Sequence, residues 1–110
     1  MRGALQPQTQ ATFRALADPT RRGILQLLAH SEMTIGQLSD AFPMTRAAVK
    51  KHLSILQAGH LIDVEARGRE RINKLHANGL HPVLDWISEL DAAWDARLNA
   101  LKSAIEKDNT

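Results

Sequence analysis

The stretch that decides the fold is residues 34–58, TIGQLSDAFPMTRAAVKKHLSILQA. Thr34 followed three residues later by Gln37 is the capping-box pattern that begins a short helix, and Pro43 ends that helix. Thr45 is a suitable N-cap for a second helix, which runs to the end of the stretch. Two helices joined by a hinge of three residues predict a helix-turn-helix motif.

The second helix of this motif has one apolar face and one cationic face. Its apolar residues recur at positions i, i+4 and i+7, which places them on one side of the helix; they are Val49, Leu53 and Leu56. The other side carries Ala47, Lys50 and Lys51, with Arg46 in the first turn. Arginine can donate two hydrogen bonds to guanine, and small residues allow close approach to the major groove. The helix is therefore a candidate for reading duplex DNA, the alternative being a solvated charged face.

Two helices are predicted before this motif. The first extends over about residues 8–17 and ends at Asp18-Pro19, because the residue before a proline resists helical geometry. Asp18 can then cap the next helix, with Pro19 in its first position, where the missing N–H has no cost. That helix continues to about Ala29 with a wide apolar stripe.

A β-hairpin is predicted after the motif. Apolar and polar residues alternate over about residues 61–75, with Gly68 at the turn. Cations on such a hairpin can contact a minor groove or the phosphate backbone, or they can simply protect an exposed sheet edge; they are Arg67, Arg69 and Arg71. For Arg71 the alternation also allows an inward orientation, paired with Asp63 or Glu65.

The last predicted element is a long helix over about residues 80–106. From Ile87 onward its apolar residues are spaced by 3, 4, 4, 3 and 4 positions, which is the period of a straight α-helix. An apolar stripe of this length on a terminal helix predicts a dimer interface, to which the first helix would add an aromatic ring. The expected interface residues are Phe13, Ile87, Leu90, Trp94, Leu98 and Leu101.

Composition restricts the classes of function. The chain has 110 residues, 44% of them hydrophobic, which suits one soluble, mainly α-helical domain over residues 1–110. It has no cysteine, which excludes disulfides, thiolate metal sites and cysteine nucleophiles. No apolar run approaches the ~20 residues that span a bilayer, and the N-terminus lacks a signal-like apolar stretch. We therefore expect a cytoplasmic protein without a membrane partner.

Charge is distributed unevenly along the chain. The net charge is only +2, yet residues 44–76 contain seven Arg or Lys against three Asp or Glu. Residues 77–110 are acidic, with three cations against six acids. A basic middle followed by an acidic end indicates a polyanion such as double-stranded DNA as a partner.

Four segments resemble the ArsR/SmtB-like bacterial repressors. The resemblance covers about residues 11–105, and the segments occur in the same order and spacing as in that family. It is closest to the cysteine-free members built as small homodimeric autorepressors. The segments are Leu16–Leu25 (LADPTRRGIL), Thr45–Leu53 (TRAAVKKHL), Ala58–Ile62 (AGHLI) and Gly68–Arg71 (GRER).

The resemblance implies a winged helix-turn-helix with a small β-hairpin and a long C-terminal dimerisation helix. It also implies a homodimeric repressor that binds an inverted-repeat operator, with its own promoter as a candidate target. The residues that match DNA-contacting positions in the family are Thr45, Arg46, Ala47, Lys50 and Lys51. Serine or threonine is common at the position of Lys50, so the base preference of relatives does not transfer to this chain.

Two other functions stay open at this stage. One is a metal- or metabolite-responsive sensor with a site that needs no cysteine. His81 and Asp85, one helical turn apart, could supply two metal ligands, but no second histidine follows and we expect no metal and no cofactor. The other is a protein-interaction module that keeps the winged helix without binding DNA. No catalytic constellation is present in the sequence, so an enzyme is not expected.

Overall fold

The computed structural model describes residues 6–108, which form five helices and three strands. Most of them lie where the sequence patterns place them, within one to three residues at each end. In chain order the elements are α1 (Pro7–Leu16), α2 (Pro19–Leu28), β1 (Met33–Thr34), α3 (Ile35–Asp40), α4 (Arg46–Ala58), β2 (Ile62–Arg67), β3 (Glu70–Leu75) and α5 (His81–Asp108).

Side-chain caps begin the three helices at which the sequence predicts them. The Asp18 carboxylate accepts a hydrogen bond from the backbone N–H of Arg21 at 3.0 Å, and this bond holds the pKa of Asp18 below its usual value. The capping box is complete, because the Thr34 hydroxyl accepts from the Gln37 N–H at 3.1 Å while the Gln37 side chain accepts from the Thr34 N–H at 2.9 Å. The Thr45 hydroxyl accepts a hydrogen bond from the Ala48 N–H at 3.1 Å and so caps α4. The predicted helix starts are therefore confirmed.

The sheet has three antiparallel strands in the order β1-β3-β2, one more than the sequence predicts. In β1, Met33 pairs with Asn73 and Thr34 with Ile72. The sequence pattern misses this strand because two residues give no alternation and their pairing partner is 38 or more positions away. The other two strands form the predicted hairpin, with Arg67 opposite Glu70.

The core of the first 80 residues forms around α4. This helix packs against α1, α2, α3 and β2, so its apolar face is enclosed on every side. The buried residues include the three predicted on that face; they are Ala15, Ile24, Leu28, Leu38, Val49, Leu53, Leu56, Leu61 and Ile62.

Gly59 allows α1 and the end of α4 to approach closely. A Cβ atom at Gly59 would lie 2.9 Å from the carbonyl oxygen of Ala11 and 3.1 Å from the Cβ of Ala15. The buried Thr12 hydroxyl lies 2.8 Å from the Gly59 carbonyl oxygen and bonds to it. The left-handed backbone conformation at this corner belongs to the next residue, His60, with φ of 55°.

The long helix α5 forms a compact unit of its own, separate from the unit that ends at Leu80. Its apolar side chains with the predicted helical spacing are largely exposed, and Trp94 is 62% accessible. The exposed set comprises Leu84, Ile87, Leu90, Trp94, Leu98, Leu101 and Ile105. Within residues 6–108, no helix is both long enough and apolar enough to cross a membrane.

The approach of α1 to α4 can be tested by adding one methyl group. We expect Gly59→Ala to lower the free energy of unfolding by about 1–3 kcal/mol, because two backbones must move apart. Gly36→Ala is the matched control: its Cβ would meet mainly the movable end of the Arg46 side chain. Alanine is favoured over glycine inside a helix by about 0.5–1 kcal/mol, so this change should not destabilise the protein. Urea denaturation of both variants makes the comparison, and a neutral Gly59→Ala would contradict it.

Candidate nucleic-acid interface

A cleft of about 490 Å³ lies between the first turn of α3, the first turns of α4 and the start of β3. Four cationic side chains and one carboxylate contribute to its walls, so the cleft carries a strong excess of positive charge. Its lining residues are Thr34, Ile35, Gly36, Arg46, Lys50, Arg69, Glu70 and Arg71.

The buried face of α4 determines which of its side chains reach this cleft. Val49 and Leu53 face the core, so Arg46 and Lys50, one turn apart on the helix, lie on the side that faces the cleft. Lys51 is also exposed, but it is not among the lining residues.

The Arg46 guanidinium lies over the first turn of α3. A Cβ atom placed on Gly36 would be only 3.0 Å from Nη2 of Arg46, so the missing side chain leaves room for the guanidinium. Thr45 and Ala47, the other residues predicted to meet DNA at this end of the helix, are both exposed. The predicted contact residues of α4 are therefore all accessible from solvent.

The hairpin places its arginines on two different faces. Side chains alternate along a strand, and the pairs Ile62–Leu75, Val64–Asn73 and Ala66–Arg71 share the face that contributes Ile62 to the core. Arg71 lies on this face and lines the cleft together with Lys50. The inward pairing with Asp63 or Glu65 that the sequence allowed for Arg71 does not form, because those two residues occupy the opposite face.

Arg67 is the arginine that lies on that opposite face. Its Nη1 donates to the Glu32 carboxylate at 2.6 Å and its Nη2 donates to Glu65. Lys74 adds a second cation 3.7 Å from Glu65. The hydrogen bond from Arg67 is the main reason why the pKa of Glu65 lies below its usual value, and the two carboxylates raise the pKa of the Arg67 guanidinium.

Arg67 is therefore the one predicted hairpin contact that lies outside the cleft. The alternation of side chains along the strands predicts the face on which Arg67 lies, provided that the turn is known to contain two residues. Its partner Glu32 comes from a different part of the chain and leaves no local signal in the sequence.

Comparison with known proteins shows the family. A family model described as a helix-turn-helix domain matches residues 16–65. The HTH-type transcriptional regulator Rv2034 of Mycobacterium tuberculosis is 32% identical over 96 residues, which are 87% of each chain. The transcriptional repressor SdpR of Bacillus subtilis is 32% identical over 75 residues, covering 68% of this chain and 83% of that one.

A solved structure agrees with these sequence matches. The ArsR-like transcriptional regulator from Rhodococcus sp. RHA1 superimposes with a TM-score of 0.77 at 32% identity, covering 87% of this chain and 91% of that one. This chain belongs to the ArsR family. It is a DNA-binding transcriptional regulator with the predicted winged helix-turn-helix, in which α3 and α4 form the motif and β2 and β3 form the wing.

Arg21, which belongs to the ArsR-like segment Leu16–Leu25, has a structural role in this chain. The Arg21 side chain donates to the carbonyl oxygens of Ala15 and Arg14, both at 2.9 Å, and so satisfies the end of α1. Its Nη1 also lies 3.2 Å from Nδ1 of His52, a half-buried residue of α4. Arg21 thus fastens α1 to α4 and does not line the cleft.

His76 belongs to the first unit of this ArsR-family chain, and the candidate metal ligands His81 and Asp85 belong to α5. His76 bonds to Asp63, with 2.8 Å between Nδ1 and Oδ1, while His81 and Asp85 are exposed in the first two turns of α5. Between residues 6 and 108, no three His, Asp or Glu side chains lie close enough together to hold a metal ion.

Proposed function

We propose that this ArsR-family chain is a homodimeric repressor whose two cationic clefts hold the two half-sites of an inverted-repeat operator. One observation carries the proposal: four cations from separate elements face one cleft, in which a single carboxylate opposes them. Duplex DNA carries one phosphate charge per ~1.7 Å of its axis, so a cleft of this kind attracts it strongly.

The N-terminal part of α4 enters the major groove. Arg46 lies in the first turn, where a guanidinium can reach O6 and N7 of guanine, and Ala47 can touch a thymine methyl group. The Thr45 hydroxyl accepts a hydrogen bond from its own helix and keeps its proton for a phosphate oxygen. Lys50 and Lys51 neutralise phosphates on the two sides of the groove.

The wing holds the neighbouring DNA backbone. Arg69 is at the turn and Arg71 is on the cleft side of β3, so both can meet phosphates or the adjacent minor groove. Glu70 lies between them in sequence, and its carboxylate repels phosphates that come close to it.

The exposed stripe of α5 supports a homodimer. Leu90, Trp94, Leu98 and Leu101 border a shallow groove on this helix, and Arg97 is the charged residue beside them. An uninterrupted apolar surface on a terminal helix is unfavourable in water and marks an interface. We propose that a second copy of the chain covers this stripe and that Phe13 of α1 belongs to the same interface.

A two-fold dimer accounts for the form of the operator. The two recognition helices of a helix-turn-helix dimer meet half-sites that lie about one DNA turn, 34–36 Å, or a multiple of it apart. The two halves of the operator are then inverted copies of each other. By similarity to the named repressor of Bacillus subtilis, we propose that this chain represses transcription. We further propose that it acts in the cytoplasm and that the promoter of its own gene is the first candidate target.

This function requires neither catalysis nor a cofactor. We therefore propose that the protein is not an enzyme and that its activity is binding alone.

The dimer interface can be tested on two residues of the stripe. We expect Trp94→Ala together with Leu98→Ala to yield a monomer or an aggregate, because each truncation removes about 2–5 kcal/mol from a buried interface. Asp95→Ala with Asn99→Ala, one position further along the same turns, is the matched control and should remain dimeric. Sedimentation velocity distinguishes these states. A stable dimer of the first variant would place the interface elsewhere.

The proposed DNA contacts predict two kinds of variant. Arg46→Ala should cost about 1–3 kcal/mol and relax the preference at one position of each half-site. Arg69→Ala should weaken binding to operator and random duplexes alike and reduce the salt dependence. The operator is first selected from a library of random duplexes, and fluorescence anisotropy then gives the affinities at three salt concentrations.

The wild-type chain sets the scale for that experiment. A dimer with about 6–10 phosphate contacts should lose roughly a thousandfold or more in affinity between 50 and 200 mM salt. Binding that does not change with salt would contradict the proposed role of the cleft. An Arg46→Ala variant with unchanged preference at every position would contradict the base-reading role of that residue.

A further inference from the structure

Arg67 differs from the other hairpin arginines because its guanidinium donates hydrogen bonds to two carboxylates. Glu65 lies two positions earlier on the same strand, whereas Glu32 belongs to the loop directly before β1. In the sheet order β1-β3-β2, the Arg67 side chain therefore reaches from one edge strand, across β3, to the residue just before the other edge strand. It connects the two edges of the sheet on the face opposite to Arg71.

This bridge joins the wing to the rest of the winged-helix unit. A turn at Gly68 and Arg69 joins β2 to β3. A Cβ atom placed on Gly68 would have no neighbouring atom within 4 Å, so this residue of the turn is surrounded by open space. The backbone pairing of β2 with β3 sets the local geometry of this turn, so a side-chain contact from its last paired residue to another element can set its direction relative to the rest of the unit. Arg67 is the last residue of β2 and so acts directly at that tip.

We propose that Arg67 is a positioning residue, which fixes the direction of the wing through Glu32 and Glu65 so that Arg69 and Arg71 meet the DNA. The inference rests on the proposed function of the cleft, and it replaces the expectation from sequence that Arg67 itself contacts DNA. The guanidinium suits this role because its planar group can donate to two carboxylates at once, which a lysine ammonium does less well. A phosphate that approached Arg67 would also approach both carboxylates, whose negative charge opposes its binding there.

Substitution by lysine separates the two roles. Lysine keeps the charge, and a phosphate contact tolerates it as a point charge. A bridge between two carboxylates on different elements requires the forked group, so lysine should not restore it. Arg69 lies two positions along the same hairpin and lines the cleft, so it provides the matched position.

The experiment uses the full chain with Arg67→Lys, Arg67→Gln, Arg69→Lys and Arg69→Gln. Three measurements are made on each variant: affinity for a random duplex of defined length over a salt series, thermal unfolding, and ¹⁵N relaxation of the hairpin amides in free protein. Glu32→Gln is added alone and together with Arg67→Gln. The effect of Glu32→Gln is compared between the wild-type chain and the Arg67→Gln variant. The difference between the two effects excludes the general effect of removing a negative charge near DNA.

The positioning role predicts a specific pattern. Both Arg67 variants should bind DNA a few-fold more weakly with an unchanged salt slope, unchanged thermal midpoint and more mobile amides at the hairpin tip. Arg69→Lys should stay within about twofold of wild type, whereas Arg69→Gln should lower the salt slope by about 1 for each phosphate that is no longer neutralised. Glu32→Gln should add nothing once Arg67 is already replaced, apart from the general charge effect.

Two results would overturn the proposal. In the first, Arg67→Lys binds like wild type and Arg67→Gln lowers the salt slope as Arg69→Gln does, which is the behaviour of a phosphate contact. In the second, no Arg67 variant changes either DNA affinity or hairpin mobility. If the wild-type chain itself fails to bind duplex DNA, the proposed function fails, and the relaxation data alone still decide whether Arg67 restrains the wing.

Discussion

The burial of one face of α4 is the constraint on which the rest of the structure depends. Val49, Leu53 and Leu56 are enclosed by three other helices and a strand, so the helix cannot rotate about its axis without exposing them. Burying side chains of this kind contributes about 1.5–3 kcal/mol each. Because the helix is fixed in rotation, the direction of Arg46 and Lys50 is fixed with it, and the cationic cleft follows from the core.

The same argument applies to the hairpin, where side chains alternate between two faces with a period of two residues instead of the 3.6 residues of a helix. Ile62 and Val64 turn one face of β2 toward the core, and the register of the hairpin then assigns Arg71 to that side and Arg67 to the other. Positive charge therefore concentrates on the side of the wing that faces α4. The acidic residues Glu32 and Glu65 do not line the cleft and instead bond to Arg67.

The parts of the fold with local signals could be predicted from the sequence. Caps at Asp18, Thr34 and Thr45 and the spacing of apolar residues placed the helices, because each signal involves residues within one or two turns. The alternation over residues 61–75 predicted the hairpin and the helical spacing gave the cationic face of α4, while the family resemblance identified the hairpin as a wing and added Thr45 to the DNA-contacting positions. Neither source gave β1, whose two residues form a strand only because β3 lies beside them.

The remaining differences depend on contacts between distant parts of the chain. The bond between Arg67 and Glu32 spans 35 positions, so no window of sequence contains it. The close approach at Gly59 depends on the carbonyl of Ala11, which is 48 positions earlier in the chain and leaves no local signal in the sequence. The residues that cover the stripe of α5 are not in the helix itself, so the sequence gives only the apolar spacing and leaves the covering surface as a proposal.

We propose that duplex DNA binds in the cleft between α4 and the wing. The most direct test is a titration of ¹⁵N-labelled protein with a random duplex at low salt, following the arginine Nε–H signals. We expect the signals of Arg46, Arg69 and Arg71 to shift, while the signal of Arg22, which bonds to the end of α1, stays in place. A shift at Arg22 with none at the three cleft arginines would contradict the claim.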